Sequence, residues 1–127
     1  MNVVDSTGWL EYFADGPNAA FFAGPIEDVA RLWVPSISVF EVFKCVLQQR
    51  GEGPALHAIA VMRLGAVIDL DDTLAIASAK VSVDHRIPMA DAIILAAARS
   101  KNAVLWTQDR DFEGLDGVRF IPKLAAY

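Results

Sequence analysis

The chain has 127 residues, a formal net charge of −5 and an apolar fraction of 54%. That length argues for one domain with its own core, expected over residues 1–127, and the apolar content excludes a disordered chain. The acidic balance argues against broad, non-specific attachment to nucleic acid, although it leaves a nucleic-acid substrate open.

In the second half the longest uninterrupted apolar run is Ala92 to Ala98, far short of a membrane span. The start, Met1-Asn2-Val3-Val4-Asp5, lacks the basic and long apolar stretches of a secretion signal. A lone Cys45 cannot form an internal disulfide, so a reducing, cytoplasmic location is expected. Cys45 itself reads as a small core residue in an apolar helix pattern, not a nucleophile.

In chain order, residues 2–5 read as a short buried strand and Ser6 to Phe13 as a helix capped by Asp5 or Ser6. Residues 18–31 read as one or two short helices interrupted at Gly24-Pro25. Leu32 to Pro35 is a second strand, Ser36 to Arg50 a helix stopped by Gly51, and Pro54 to Leu64 another helix. A third strand is expected over 66–70, then helices over 72–85 and 88–101, with Pro88 suited to a first turn. Strands over 103–107 and 118–121 close the pattern. Short apolar strands without clean alternation mark a sheet buried on both faces. With helices between them, the fold class is α/β with a mostly parallel sheet, in which ligands gather beyond the carboxyl ends of the strands.

Four acids stand out on this layout. Asp5 and Asp109 lie at or past strand ends, and Glu41 and Asp91 in early helical turns. Each sits in an apolar frame, such as Val39-Phe40-Glu41-Val42-Phe43 and Met89-Ala90-Asp91-Ala92-Ile93. Like charges held near a core edge repel unless a counter-charge is present, and a hard divalent cation taking oxygen ligands is the simplest one. Each acid alone has a plainer role. Asp5 can cap its helix, Glu41 completes a Ser38-x-x-Glu41 capping box, Asp91 suits a helix N-terminus, and Asp109 suits an Asx-turn. Four such coincidences on apolar frames favour a metal pocket. The plain reading holds for Glu11, Asp69, Asp71, Asp72 and Asp111. Lys44, Arg50, Arg63, Arg86, Arg99 and Arg110 are candidates for a basic rim.

The segments Val3-Val4-Asp5-Ser6-Thr7-Gly8-Trp9-Leu10, Ser36 to Val42, Pro88 to Ala96 and Leu105 to Phe112 come in the order of a known family. The chain resembles PIN-domain ribonucleases, specifically the VapC-type toxins of bacterial toxin–antitoxin pairs. The resemblance implies a three-layer sandwich and a Mg²⁺-dependent endoribonuclease, with Mn²⁺ as possible substitute. It maps the metal-binding and catalytic acids onto Asp5, Glu41, Asp91 and Asp109, and supporting hydroxyls onto Ser6 and Thr107. Asp111 matches an acid whose role varies within the family. An RNA substrate, a VapB-like antitoxin and a homodimer are implied as well.

His57 reads as an edge or surface residue and His85 as a loop residue; neither has zinc-like spacing. The aromatics Phe21, Phe22, Trp33, Phe40 and Phe43 suit a core or interface, while Trp9 and Phe112 are placed for base stacking. Phe13, Phe21, Phe22, Ile26, Val29 and Leu32 exceed what two short helices bury; they either line a groove for a partner segment ending in a basic residue near Asp5 and Asp91 or close the core or a homodimer interface. Two competing readings are a receiver-like phosphoacceptor switch, with Asp69 as acceptor, and a non-catalytic module that binds a basic partner.

Overall fold

The computed structural model describes residues 1–124; the final three residues of the expected domain lie outside the described residues. Elements follow as β1 (Asn2–Val4), α1 (Ser6–Phe13), α2 (Ala19–Glu27), β2 (Leu32–Pro35), α3 (Ser36–Arg50), α4 (Glu52–Met62), β3 (Ala66–Ile68), α5 (Asp72–His85), α6 (Met89–Ser100), β4 (Val104–Thr107) and β5 (Val118–Phe120). Single 3₁₀ turns cover Val29–Arg31 and Arg110–Phe112.

The five strands run in the order β3-β2-β1-β4-β5, and every neighbouring pair is parallel. The short strands present successive side chains to opposite faces. Val4 and Val34 pack with Trp9, Phe22, Val42 and Met62 under α1 to α4. Val3 and Leu105 pack with Ile94, Leu95 and Phe112 under α6. The result is the expected three-layer α/β sandwich. Helix α6 is buried from Ala92 to Ala98, because its alanines let it lie between the sheet and α5 with apolar surface on all sides.

Parallel strands with helical returns place every strand's carboxyl end, and the helix that follows it, at one edge of the sheet. The central pair fixes the local register there. Val4 opposes Trp106, and the Asp5 amide extends the ladder by donating to Trp106 O at 3.1 Å. Asp5 and Thr107 therefore emerge side by side. Strand β3 is an edge strand, so Asp69 is exposed and separated from Asp5 by β2. That geometry rules out Asp69 as the central acceptor of a receiver-like domain.

Some boundaries moved. α2 runs through Gly24-Pro25 to Glu27 because Pro25 falls near its end, where one missing N–H is offset by burial of the ring. α4 starts at Glu52, since Pro54 then lies in its first turn, where no intrahelical partner exists for its nitrogen. The Ser38–Glu41 capping box does not form. Pro35 is the N-cap of α3, and Ser38 is buried inside the helix with its hydroxyl unpaired.

One glycine is needed for this packing. A Cβ on Gly8 would lie 2.6 Å from the Phe22 ring and 2.7 Å from Val4 Cγ1. Phe22 and Val4 are both fully buried, so neither can yield cheaply. Gly8→Ala should cost ~1–2 kcal/mol, overpacking outweighing the better helix propensity of alanine. Urea denaturation followed by circular dichroism checks this, and an equal or higher stability would contradict it.

Candidate active site

The floor of the site is Asp5, which is 2% exposed. As N-cap of α1 it accepts from Gly8 N at 2.9 Å through Oδ1. Thr107 Oγ1 donates to Oδ2 at 2.8 Å, and Thr7 Oγ1 donates to both oxygens at 3.0 and 2.9 Å. Burial raises its pKa to about 6, against these three donors; the charge of Asp109 pushes in the same direction as burial.

The Thr107 hydroxyl also accepts from the Asp109 amide at 2.9 Å. It thereby ties the floor to the turn after β4. Asp109 then caps the 3₁₀ turn, with Asp111 N donating to its Oδ1 at 2.9 Å. This is the expected Asx-type geometry, and it aims two acids to one side. The carboxylates of Asp91, Asp109 and Asp111 each bring an oxygen within 4.8 Å of the others. Asp91 sits in the first turn of α6, just before the buried run. Burial, a hydrogen bond to Asp111 and the charges of Asp109, Asp111 and Asp5 push its pKa up to about 8.

Glu41 stands on α3. Ser6 Oγ donates to its Oε1 at 2.7 Å, which links α3 to the first residue of α1. The structure thus joins Asp91, Asp109 and Asp111 directly, connects Asp5 to them through Thr107 and charge, and attaches Glu41 through Ser6. Asp111 belongs to the cluster more closely than its sequence position implied. Arg110, between two of the acids, turns away to Glu113 at 3.2 Å and stacks over Phe120 at 5.9 Å. Among the described residues, the two ion pairs, Arg31–Asp28 and Arg110–Glu113, include none of the site acids.

This donor set fits a hard divalent cation. All of the clustered groups are carboxylates, burial and their mutual repulsion already raise the pKa of Asp91, and no cationic side chain among the described residues pairs with them. Asp5 has capacity for about four hydrogen bonds or ligands and spends most of it on Thr7, Gly8 and Thr107.

Several sequence expectations fail here. Trp9 and Phe112 are fully buried and cannot stack on a base. Phe22, Ile26 and Leu32 belong to the core, so the expected groove is not built from them. A cleft of about 650 Å³ lies instead between α1, α3 and α4, walled by Leu10, Phe13, Val46 and Ala58 and reaching Thr7 and Gln108 beside the acids. Cys45 is half-buried on that wall, not in the core, because it faces the gap between α3 and α4. His57 is exposed on the same rim. His85 ends α5 and lies 3.2 Å from Arg99 Nη1. Missed altogether was Gln108, which is 4% exposed. An amide between two functional residues of an extended segment must point to the opposite face from both, and that alternation was the available signal.

The fold and the acid-lined edge define a parallel α/β domain with a carboxylate site. A family model of the PIN domain matches residues 3–118, and the chain belongs to the PIN-domain family. No curated protein sequence matches it. Solved structures do. A toxin–antitoxin complex from Klebsiella pneumoniae has a TM-score of 0.79 at 20% identity, over 94% of this chain and 96% of that one. Mycobacterium tuberculosis VapC20, a Sarcin-Ricin loop cleaving toxin, gives 0.76 at 17% identity, over 91% and 95%. The DNA-bound VapBC of Salmonella typhimurium gives 0.72 at 18%, over 96% and 98%. The shared property is the fold of VapC toxins. No helix among the described residues is long and apolar enough to cross a membrane.

The raised acids make a pH prediction. Folded Asp91 keeps its proton to about 8, whereas the ordinary value is 3.8. Between these limits the native state holds a proton that the unfolded state has released, so stability falls as pH rises. In chelator, the melting temperature should drop between roughly pH 5 and 8.5, and Asp91→Asn should flatten most of that slope. Equal slopes in both proteins would show that Asp91 is not strained.

Proposed function

We propose that this PIN-domain chain is a metal-dependent endoribonuclease and the toxin of a VapC-type toxin–antitoxin pair. The observation that carries the reading is the meeting of Asp91, Asp109 and Asp111 around one point above the buried Asp5. Support also comes from the likeness to toxin–antitoxin proteins, one of which cleaves the Sarcin-Ricin loop.

Asp91, Asp109 and Asp111 would hold Mg²⁺ or Mn²⁺, with Asp5 completing the set from below. A bound Mg²⁺ lowers the pKa of a coordinated water and neutralises charge that develops on the phosphoryl oxygens. Glu41, held by Ser6, would orient the attacking water or share the cation. Thr107 holds Asp5 and the Asp109 turn in one geometry, which keeps the acids from spreading apart under their own repulsion. The chain needs no protein nucleophile for this hydrolysis.

Asp91→Asn and Asp109→Asn should each lower RNA cleavage by about 10²-fold or more, with the fold retained. Both keep side-chain volume, and the amide oxygen introduced by Asp109→Asn can still accept from Asp111 N. Asp5→Asn should also inactivate but unfold more easily, because an amide there turns one acceptor into a donor facing Thr7 or Thr107. Mg²⁺ at ten times its dissociation constant should stabilise the wild type by about 1.4 kcal/mol, and Asp91→Asn should lose most of that. Cleavage assays and melting curves with Mg²⁺ or EDTA decide the matter; folded variants of these acids with full activity would end the proposal.

A free ribonuclease would damage its own cell, and the proposed restraint is a VapB-like antitoxin. Its apolar segment would occupy the cleft of Leu10, Phe13 and Val46, with a terminal Arg or Lys reaching the acids past Thr7 and Gln108. Asp5 is too buried to meet it, so Asp91 and Asp111 are its targets. A homodimer is proposed through the exposed side chains of Ile76, Val83 and Met89, each more than 70% exposed on α5 and the start of α6. Light scattering of chain and complex should return even numbers of this subunit. Replacing the partner's basic residue should restore cleavage without dissociating the complex; continued full inhibition would refute the charge plug.

A further inference from the structure

Asn18 is placed as a cap and does not act as one. It is the N-cap of α2, yet its side chain makes no hydrogen bond to that helix. Asparagine is favoured at this position because its side chain satisfies a free helical amide, so its diversion needs a reason. Both hydrogens of its amide are used over long range. Nδ2 donates to Gln108 Oε1 at 3.0 Å and to Pro122 O at 3.0 Å. Its backbone N donates to Glu11 Oε2 at 2.8 Å. Asn18 is 3% exposed and Gln108 4%, so both side chains are largely withdrawn from water.

Gln108 lies between Thr107, which holds Asp5, and Asp109, which belongs to the carboxylate cluster. Its Nε2 reaches Thr7 O at 3.5 Å, and Thr7 is itself a donor to Asp5. The turn that carries Asp109 and Asp111 is thus clamped on its back by an amide pair, and on its front by Thr107. The clustered acids repel one another, and a turn held only from the front would be free to swing outwards.

We infer that Asn18 and Gln108 form a buried amide clamp that positions the Asp109–Asp111 turn for cation binding. Neither residue touches the cation or the RNA; both act through the turn. The part of this claim that concerns metal rests on the proposed function above, while the part that concerns the turn does not. A buried amide left without its partner loses a bond and keeps its desolvation cost, so either single change opens the same joint. The two changes should then be non-additive.

The test uses the full chain with Asn18→Ala, Gln108→Leu, the double variant, and Ile59→Val as a core control away from the site. Two readouts are taken: Mn²⁺ affinity by electron paramagnetic resonance, and amide hydrogen exchange without metal. The clamp predicts Mn²⁺ binding weaker by about tenfold or more in each single variant, no further loss in the double variant, and no change in Ile59→Val. It also predicts faster exchange at the amides of Asp109 and Asp111, which bond to Thr107 Oγ1 and Asp109 Oδ1, with α4 unaffected. Wild-type affinity in both single variants would overturn the clamp, as would strictly additive losses. If the wild type binds no Mn²⁺, the metal reading fails and the exchange data alone judge the clamp. Selectively faster exchange at the turn then supports it, and unchanged or uniformly faster exchange overturns it.

Discussion

Repulsion between carboxylates is the force that this sheet edge has to withstand. Asp91, Asp109 and Asp111 crowd together in a partly desolvated place, and Asp5 lies beneath them with almost no access to water. Left to themselves, such groups would move apart or take up protons; burial first, and then the neighbouring negative charges, raise the pKa values of Asp5 and Asp91. The surrounding structure resists the first response. Thr107 bonds to Asp5 and to the Asp109 amide, Ser6 fixes Glu41, and each acid stands on an element whose other face is locked in the core. The strain persists because the fold over-determines these positions, which suits a site whose counter-charge comes from outside.

The acids serve two purposes at once. Asp5 caps α1, Asp109 caps the turn after β4, and Asp91 lies at the N-terminus of α6. These local roles were the plain alternatives to a metal site, and the structure realises most of them without displacing the other reading. A cap holds a carboxylate near exposed backbone amides at the start of a helix. In a parallel α/β sandwich the starts of the helices lie beyond the carboxyl ends of the strands. Capping and convergence therefore follow from the same topology.

The pattern of short apolar strands between helices was enough for the fold class, since burial of a parallel sheet on both faces writes itself as unbroken apolar runs. Element ends that depend on strong local chemistry were equally legible. Asp5 before Ser6, Gly51 after Arg50 and Asp71 before Asp72 bound helices where expected. Boundaries that depend on distant packing were not: α2 continues through Pro25 because its ring is buried, and β3 ends early because Asp71 is committed to capping α5.

Within the site, the sequence by itself determined which acids stand at element ends on apolar frames, and hence Asp5, Glu41, Asp91 and Asp109 as candidates. Only the tertiary structure decided how they group. Asp111 joins Asp91 and Asp109 because the 3₁₀ turn after Asp109 swings it back over the sheet edge, while Glu41 connects through Ser6 alone. It also decided that Trp9 and Phe112 are core, and that Asn18 meets Gln108 across ninety residues of chain. Local periodicity reports which face of an element is apolar; it carries no information on which buried amides from distant segments will share a hydrogen bond, because that is set by the packing of helices that are not neighbours in sequence.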